Sequence, residues 1–348
     1  MKNIENLIRG NIKKLKPYTS ARSSHLTGLL LDANENSYGS VAMFSELELN
    51  RYPDPSHGEL RQELSNYLGV DKKNIFCGVG SDEIIDLLIR VFCEPGKDKA
   101  LIFEPTYGMY KVACDINNVE TITLELTEDF QLDLEAYAGT NLDDVKMIFV
   151  CSPNNPTGNL LSTDDIKKLA SEFSGILVVD QAYIDFAEDD LINFVNEYEN
   201  VVLTRTFSKA WGLAGIRCGF SISSPVIVDT LMKVKAPYNL NKLTLFYSVQ
   251  ALRNIEKRNK LVDKIISERK RVFGELQKIE GISKIYETDA NFILFKVEDA
   301  DSIYNAMAER DVIIRNRSNQ VNLEGCLRVT IGTPEENDKF LTTLKEVL

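Results

Sequence analysis

The sequence contains few of the residues that metal sites and membrane segments require. Its 348 residues include two histidines, His25 and His57. With so few histidines and no acidic cluster in their place, we expect no metal centre. No apolar run approaches the roughly 20 residues that a membrane-spanning helix needs. The first residues also lack the apolar core of a signal peptide, so we expect a cytoplasmic protein.

The cysteines and the net charge narrow the function classes further. The six cysteines form no C-x-x-C pair, and most of them lie in apolar stretches. We therefore expect buried, reduced thiols that pack as small hydrophobic groups. The net charge of -12 argues against nucleic acid as a partner. It leaves room for a local basic pocket that binds an anionic substrate.

The order of apolar runs along the chain indicates an α/β protein. Between about residues 75 and 222, short apolar runs alternate with helical patterns, as in a sheet with helices on both faces. The run Ile176–Asp180 is almost wholly apolar, which suits a parallel strand that is covered on both sides. Strands are predicted at 75–77, 100–103, 121–124, 146–151, 176–180, 201–206 and 218–222.

The pattern changes after about residue 243, where a long charged helical region begins. Helices are predicted at 83–93, 164–173, 243–278 and 302–310, and two further strands at 291–296 and 327–331. The chain is too long for one small core. We expect an N-terminal arm at 1–35, which packs against the small domain or a partner subunit. A large domain at 36–245 and a small α/β domain at 246–348 would follow.

The strongest chemical signal is the segment TFSKAWGLAGIR at residues 206–217. Lys209 follows a predicted strand in a loop of small residues, where its amine could form a Schiff base with an aldehyde. Thr206, Ser208 and Arg217 could hold a phosphate beside it. A phosphorylated aldehyde that meets a lysine in this way is pyridoxal 5'-phosphate (PLP). The alternative is a surface loop in which Arg217 pairs with a carboxylate.

Two other turns offer groups to the same ligand. The segment 79–83 joins a strand to a helix, so Ser81 and the amides there could bind phosphate or merely cap the helix. The turn SPNNPTG at 152–158 presents Asn154 and Asn155 at the edge of the sheet where ligands bind in open α/β folds. This turn could also be tight but without function.

Three further side chains follow predicted strands. Asp180 ends a buried strand, and a carboxylate there needs a positive or hydrogen-bonding partner. A pyridinium nitrogen would serve, and Asp180 would keep it protonated, although a nearby amide is the alternative. Tyr183 could donate to a ring oxygen or pack in the core. Tyr107 could stack on the pyridine ring or be structural.

The order of these residues resembles that of the fold-type I PLP-dependent aminotransferases over nearly the whole chain. Within that family, the chain is similar to the histidinol-phosphate aminotransferases. The segments that carry this likeness are KPYTSAR at 16–22, LDANEN at 31–36, RYPDP at 51–55, VIIR at 312–315 and GCLRVTIGT at 325–333. The resemblance implies amino transfer between L-histidinol phosphate and 2-oxoglutarate. It also implies a large domain with a mostly parallel sheet and a smaller α/β domain.

The resemblance assigns a role to each residue around the pyridine ring. Lys209 would be the Schiff-base lysine and the proton carrier. Asp180 would pair with the pyridine nitrogen, while Asn155 and Tyr183 would contact the ring oxygen. Tyr107 would stack on the ring.

The resemblance also assigns the phosphate and substrate contacts. The cofactor phosphate would be held by Ser81, the Asp82 amide, Thr206, Ser208 and Arg217. Tyr52 would reach the cofactor phosphate of the other subunit, which implies a homodimer. Tyr18, Arg315 and Arg328 would face the substrate.

Other functions remain compatible with the same residues. An aromatic or broad-specificity aminotransferase and a PLP-dependent decarboxylase of a phosphorylated amino acid would share the cofactor site. A PLP-binding transcription regulator would need a basic DNA-binding module ahead of the fold. The short N-terminal arm and the acidic charge disfavour it.

Overall fold

Two β-sheets organise the computed structural model, which describes residues 4–14, 47–188 and 190–348. The larger sheet has seven strands and the smaller sheet has four. The sequence motifs at 16–22 and 31–36 lie outside the described residues. None of the helices in the described part of the chain is long and apolar enough to cross a membrane.

The larger sheet contains every strand predicted between residues 75 and 222, each within one residue of its expected ends. Its strands are β1 (Ile75–Gly78), β2 (Lys99–Glu104), β3 (Glu120–Glu125), β4 (Val145–Cys151), β5 (Ile176–Asp180), β6 (Val201–Thr206) and β7 (Gly219–Ser223). Their order in space is β1-β7-β6-β5-β4-β2-β3. The sheet is parallel except for β7, which runs antiparallel to both of its neighbours. The predicted α/β fold with a mostly parallel sheet is therefore confirmed.

The apolar character of β5 explains why it lies in the middle of this sheet. All five of its residues are buried. Leu177 and Val179 belong to the hydrophobic cluster on one face, and Ile176 and Val178 to the cluster on the other. Alternate side chains of a strand point to opposite faces, so a run without polar residues requires cover on both. Each such side chain contributes roughly 1.5–3 kcal/mol when it leaves water.

Twelve helices in the described residues cover the two sheets. They are α1 (Gly10–Lys13), α2 (Gly58–Leu68), α3 (Gly80–Phe92), α4 (Met109–Ile116), α5 (Leu134–Gly139), α6 (Thr163–Glu172), α7 (Phe194–Glu197), α8 (Pro225–Val234), α9 (Lys242–Leu252), α10 (Ile255–Leu276), α11 (Ala300–Ala308) and α12 (Pro334–Val347). The charged region predicted at 243–278 consists of two helices, α9 and α10. They meet at Asn254, whose φ of -121° and ψ of 41° are not helical.

The smaller sheet is antiparallel and lies between its own helices and the larger sheet. Its strands are β8 (Ile282–Ile285), β9 (Phe292–Val297), β10 (Arg315–Asn316) and β11 (Cys326–Thr330), in the spatial order β10-β11-β9-β8. Leu327 and Val329 pack on one face with residues of α10, α11 and α12. Leu294 and Cys326 belong to the hydrophobic cluster that covers one face of the larger sheet.

The two sheets meet at the predicted turn 152–158. Asp289 donates its backbone N–H to the Gly158 carbonyl oxygen at 2.8 Å, and its carboxylate accepts from the Leu160 N–H at 3.0 Å. Gly158 has a φ of +92°, and a Cβ there would lie 2.3 Å from Thr288 Oγ1. Only glycine accommodates both this backbone conformation and this close approach. All six cysteines are buried, and none of them forms a disulfide.

Replacement of Gly158 by alanine is expected to destabilise the protein by at least about 2 kcal/mol, because it adds a steric clash to backbone strain. Urea unfolding followed by circular dichroism measures this free energy. Gly274→Ala is the matched control, since no atom lies within 4 Å of its added Cβ in the interior of α10. That control should be neutral or slightly stabilising. Equal free energies of unfolding for the two variants would contradict the requirement for glycine at position 158.

Candidate active site

A cavity of about 180 Å³ lies at the carboxyl ends of β4, β5 and β6. Its walls are formed by Gly80, Ser81, Asp82, Tyr107, Cys151, Asn155, Asp180, Ala182, Tyr183, Thr206, Ser208, Lys209, Ala214 and Arg217. This set includes every cofactor-binding residue predicted from the sequence except Tyr52. Carboxyl ends of neighbouring parallel strands meet at one edge of a sheet, which is where ligands bind in such folds.

One end of the cavity is suited to an anion. The helix α3 begins there at Gly80, and the first backbone N–H groups of a helix attract negative charge. Ser81 does not cap this helix, because the N-cap residue is Val79. The Val79 N–H donates a hydrogen bond to the Glu83 carboxylate at 2.6 Å. The Ser81 residue lines the cavity instead.

Two glycines allow the backbone to close around this end of the cavity. A Cβ on Gly219 would lie 2.5 Å from the Ser81 backbone nitrogen. Gly80 has a φ of +71°, and a Cβ on it would lie 2.8 Å from Arg217 Nη2. The start of β7, the start of α3 and the Arg217 guanidinium can therefore approach one another only because both positions are glycine.

Hydroxyl and guanidinium groups complete the anion-binding end. Thr206 Oγ1 accepts a hydrogen bond from the Ser208 N–H at 3.0 Å. The Ser208 hydroxyl is buried and has no hydrogen-bond partner among the described residues. Arg217 Nη2 lies 3.2 Å from Asp82 Oδ2, so the carboxylate pairing considered from the sequence is present. Arg217 nevertheless lines the cavity, where its guanidinium could bind a phosphate.

Lys209 carries its amine into the cavity, 5.4 Å from the centre of the Tyr183 ring. Solvent reaches the lysine, yet the surrounding protein partly desolvates its ammonium group and lowers its pKa. The positive charge of Arg328 lowers the pKa further, while the charge of Asp180 opposes that effect. A larger fraction of Lys209 is therefore the neutral amine, which is the form that acts as a base or nucleophile.

Asp180 is a buried carboxylate with 3% of its surface exposed. Burial raises its pKa, and hydrogen bonds from neighbouring groups oppose this rise. One oxygen accepts from the Tyr110 hydroxyl at 2.8 Å, and the other accepts from the Ala182 N–H at 3.1 Å. No cation forms an ion pair with Asp180 in the described ranges. A positively charged ligand atom in the cavity would supply one.

Sequence reasoning missed Tyr110, although it is the side chain that orients Asp180. The ring is fully buried and stacks on Phe149 with centroids 4.9 Å apart. Tyr110 is in the first turn of α4, three positions after Tyr107. A tyrosine in a buried helix needs a hydrogen-bond partner for its hydroxyl. The sequence therefore offered a signal that Tyr110 contacts a buried polar group.

Tyr107 and Tyr183 lie at the cavity as predicted. The Tyr107 hydroxyl donates to Asp82 Oδ1 at 3.0 Å, so the Asp82 carboxylate joins the site in addition to its amide. Tyr183 packs edge-on against Phe292 at 5.1 Å between ring centres. Burial raises the pKa of the Tyr183 hydroxyl, which therefore stays protonated and able to donate a hydrogen bond at neutral pH.

The two asparagines of the turn 152–158 have different surroundings. Asn154 is held by protein groups only: its amide nitrogen donates to the Pro105 carbonyl at 2.9 Å and to Thr157 Oγ1 at 2.8 Å. Asn155 lines the cavity and accepts a hydrogen bond from the guanidinium of Arg328. Only Asn155 is therefore placed to contact a ligand.

Arg328 links the smaller sheet to the cavity through this contact. Its guanidinium lies 4.8 Å from the centre of the Phe292 ring. Burial and the charge of Arg317 lower its pKa to about 10. Arg315 is directly opposite Arg328 in the pairing of β10 with β11.

Among the described residues, the predicted site residues Tyr52, Arg315 and Arg328 do not line the cavity of this chain. Tyr52 is stacked on Tyr238 with ring centres 4.4 Å apart, and it is 49% exposed. Its predicted role needs a second subunit and stays a prediction. Tyr18 lies outside the described residues, so its role also stays a prediction.

The residues present fit a flat, phosphorylated pyridine aldehyde. The fit depends on three groups that line the cavity: the orphaned Ser208 hydroxyl, the Asp180 carboxylate, which forms no ion pair within the described residues, and the Lys209 amine. The two glycines leave the space that a phosphate needs beside α3.

Comparison with known proteins agrees with this geometry. A sequence profile of the Aminotransferase class I and II family matches residues 28–344. The chain is 46% identical over 345 residues to the histidinol-phosphate aminotransferase of Cytophaga hutchinsonii, with 98% of each chain covered. It is 45% identical over 350 residues to that of Christiangramia forsetii, covering 99% of this chain and 98% of the relative.

A solved structure has the same fold. The histidinol-phosphate aminotransferase from Clostridium acetobutylicum superposes with a TM-score of 0.79 at 28% identity, covering 86% of this chain and 91% of that one. The resemblance seen in the sequence motifs is thereby confirmed. Since the profile spans nearly the whole sequence and the predicted cofactor residues other than Tyr52 line one cavity, the chain belongs to the Aminotransferase class I and II family.

Proposed function

We propose that this chain is a PLP-dependent aminotransferase that exchanges an amino group between L-histidinol phosphate and 2-oxoglutarate. Its products are imidazole acetol phosphate and glutamate. The observation that carries the proposal is the single cavity in which Lys209, Asp180 and the anion-binding end around Arg217 meet. The names of the relatives that are 45% and 46% identical over nearly the full chain support the choice of substrate.

Different cavity residues would bind different parts of the cofactor. PLP supplies an electron-withdrawing ring, which stabilises negative charge at the carbon that loses a proton. Asp180 would hold the pyridine nitrogen, and Lys209 would meet the aldehyde carbon. The phosphate would be bound by Ser81, the Asp82 amide, Thr206, Ser208 and Arg217. Asn155 and Tyr183 would contact the ring oxygen, while Tyr107 would cover one face of the ring.

Lys209 moves the proton in this proposal. Its lowered pKa increases the neutral fraction of Nζ near neutral pH, and a neutral amine can take the proton from the substrate α-carbon. Arg328 contributes to this state because its positive charge disfavours the ammonium form.

Arg328 is the natural contact for both substrates. Histidinol phosphate has a phosphate where glutamate has its α-carboxylate, and a guanidinium can pair with either anion. Its contact with Asn155 keeps Arg328 at the edge of the cavity. Arg315 on the adjacent strand would supply a second charge for the phosphate or the distal carboxylate.

The assembly and the location are part of the same proposal. A homodimer would let Tyr52 reach the cofactor phosphate of the other subunit, and its half-exposed ring outside the cavity of its own chain supports this role. The divisions at 1–35, 36–245 and 246–348 stay predictions. So does a cytoplasmic location.

The decisive experiment compares substrates. The purified, PLP-loaded protein should form glutamate from L-histidinol phosphate and 2-oxoglutarate, and its expression should rescue a histidine auxotroph that lacks this transamination. Activity confined to phenylpyruvate-type acids would favour an aromatic aminotransferase instead. Release of CO2 without amino transfer would favour a decarboxylase.

Replacement of Lys209 by alanine should abolish turnover but leave PLP binding detectable, because the phosphate and ring contacts remain. A positioned general base contributes about 100- to 10,000-fold, so kcat should fall by at least that range. Equilibrium dialysis measures PLP binding, and glutamate formation measures turnover. Lys233→Ala on the exposed side of α8 is the matched control and should keep full activity. If Lys209→Ala retained activity, the proposed role of Lys209 would be wrong.

Replacement of Arg328 by alanine should raise KM for both L-histidinol phosphate and 2-oxoglutarate. Each loses a charge-assisted hydrogen bond, which corresponds to roughly a 10- to 100-fold increase. Arg328→Lys keeps the charge and should recover part of the loss. Steady-state kinetics that show unchanged KM values for both substrates would contradict a shared contact.

Replacement of Tyr110 by phenylalanine should weaken PLP binding by roughly ten-fold, because Asp180 loses a hydrogen bond that favours its ionised form. The pKa of Asp180 should rise further. The pH below which PLP binding declines should therefore shift upward. Tyr137→Phe is the control, since that tyrosine is also buried but its hydroxyl does not donate to Asp180. Identical pH profiles for the two variants would refute this role for Tyr110.

A further inference from the structure

Three arginines of the smaller sheet lie on one of its faces. Arg315 pairs with Arg328 across β10 and β11, so both side chains leave the sheet on the same side. The Arg317 N–H donates to the Cys326 carbonyl oxygen at 2.9 Å, which continues the same pairing beyond β10. Side chains two positions apart share a face, so Arg317 lies on the side of Arg315.

That face is turned toward the larger sheet and the cavity. Leu294, which pairs with Arg328, and Cys326 both pack in the hydrophobic cluster of the larger sheet. The next residue along, Leu327, packs in the separate cluster beneath α10, α11 and α12. Arg328 reaches the cavity residue Asn155 directly. The charge of Arg317 also acts on the cavity residue Tyr183, where it opposes the rise in pKa caused by burial.

The arginine cluster, defined as Arg315, Arg317 and Arg328, has no acidic partner in the described part of the chain. Arg205 and Arg258 differ, because Arg205 pairs with Asp190 and Arg258 pairs with Asp185. In the cluster, Arg315 is exposed, while Arg317 and Arg328 are partly buried. Partly buried positive charges without a counter-charge are unfavourable, so the cluster favours the binding of an anion.

Buried polar atoms around Arg317 lack partners as well. Within the described residues, Nε of Arg317 and Nε of Arg328 are buried without a hydrogen-bond acceptor. The hydroxyl of Ser318, the next residue in the chain, is buried without a partner in the described residues too. Burial and the charge of Arg315 lower the pKa of Arg317. An anion with several acceptor oxygens would satisfy these donors together.

We propose that Arg317 is a third guanidinium of the substrate site and that it binds the phosphate of the amino donor. This inference rests on the function proposed above and names a specificity residue within it. A phosphate monoester carries about -1.5 to -2 charge at pH 7 and has three acceptor oxygens. A carboxylate carries one negative charge and has two acceptor oxygens. A third guanidinium therefore favours the phosphorylated substrate more than the carboxylate substrate.

The test removes this charge from the PLP-loaded enzyme. Arg317→Gln should raise KM for L-histidinol phosphate roughly ten-fold or more, through loss of a charge-assisted hydrogen bond. The KM for 2-oxoglutarate should change by less than about three-fold, and so should kcat. Arg310→Gln is the matched control, because it removes one charge from the same part of the chain. The Arg310 side chain is exposed and contacts the Ala306 carbonyl of its own helix.

A second measurement uses inorganic phosphate as the probe. Titration of phosphate into the PLP-loaded wild type, Arg317→Gln and Arg310→Gln by calorimetry should show weaker binding only in Arg317→Gln. Arg317→Met removes the same charge while keeping an apolar stem, and it replaces Arg317→Gln if that variant does not fold. Circular dichroism and thermal unfolding establish which variants are folded.

The outcomes separate this inference from the proposed function. A wild type that does not turn over L-histidinol phosphate would overturn the proposed function, while the phosphate titration would still decide the role of Arg317. If the Arg317 variants match Arg310→Gln in phosphate affinity, the inference is wrong. A rise in KM of equal size for both substrates would also overturn it, because it would show no preference for phosphate.

Discussion

The rest of the active site depends on one buried carboxylate, Asp180. It stands at the end of β5, where the apolar run of the central strand stops, and it is almost excluded from water. Burial raises its pKa, and hydrogen bonds from the Tyr110 hydroxyl and the Ala182 N–H oppose this rise. In the proposed function, the pyridinium nitrogen of the cofactor would supply a positive charge beside this carboxylate.

Positive charge is also concentrated at this cavity. Lys209 and Arg217 line it, and Arg328 contacts the cavity residue Asn155. The positive charges of Arg328 and Arg217 are one reason that the pKa of Lys209 is lowered. In the proposed function, Asp180 would contact the ring nitrogen, and these cations would contact the cofactor phosphate and the anionic substrates.

Sequence patterns predicted most of the large sheet because strand formation there depends on local composition. The apolar run Ile176–Asp180 suits a strand that is covered on both faces, and in the structure it forms such a strand. The antiparallel direction of β7 was not predicted, because direction depends on which strand it pairs with. The break between α9 and α10 was also missed, since the residue at the break, Asn254, is neither glycine nor proline.

The sequence predicted which residues form the site. It did not predict the contacts between their side chains. Side chains at strand ends can be recognised because parallel strands end at one edge, which is why Asn155, Asp180 and Lys209 were found. The carboxylate of Asp82 and the glycine contacts of Gly80 and Gly219 were missed, because they depend on how α3 meets β7.

The sequence by itself determined the sheet, the polar groups at its edge and the chemistry those groups allow, because these follow from residues near one another in the chain. Only the tertiary structure decided which distant residues touch. Tyr110 and Asp180 are 70 positions apart, and Asn155 and Arg328 are 173 positions apart. Such contacts follow from strand order and from how the smaller sheet packs on the larger one. Neither leaves a periodic signal in the sequence, since both are set by long-range packing.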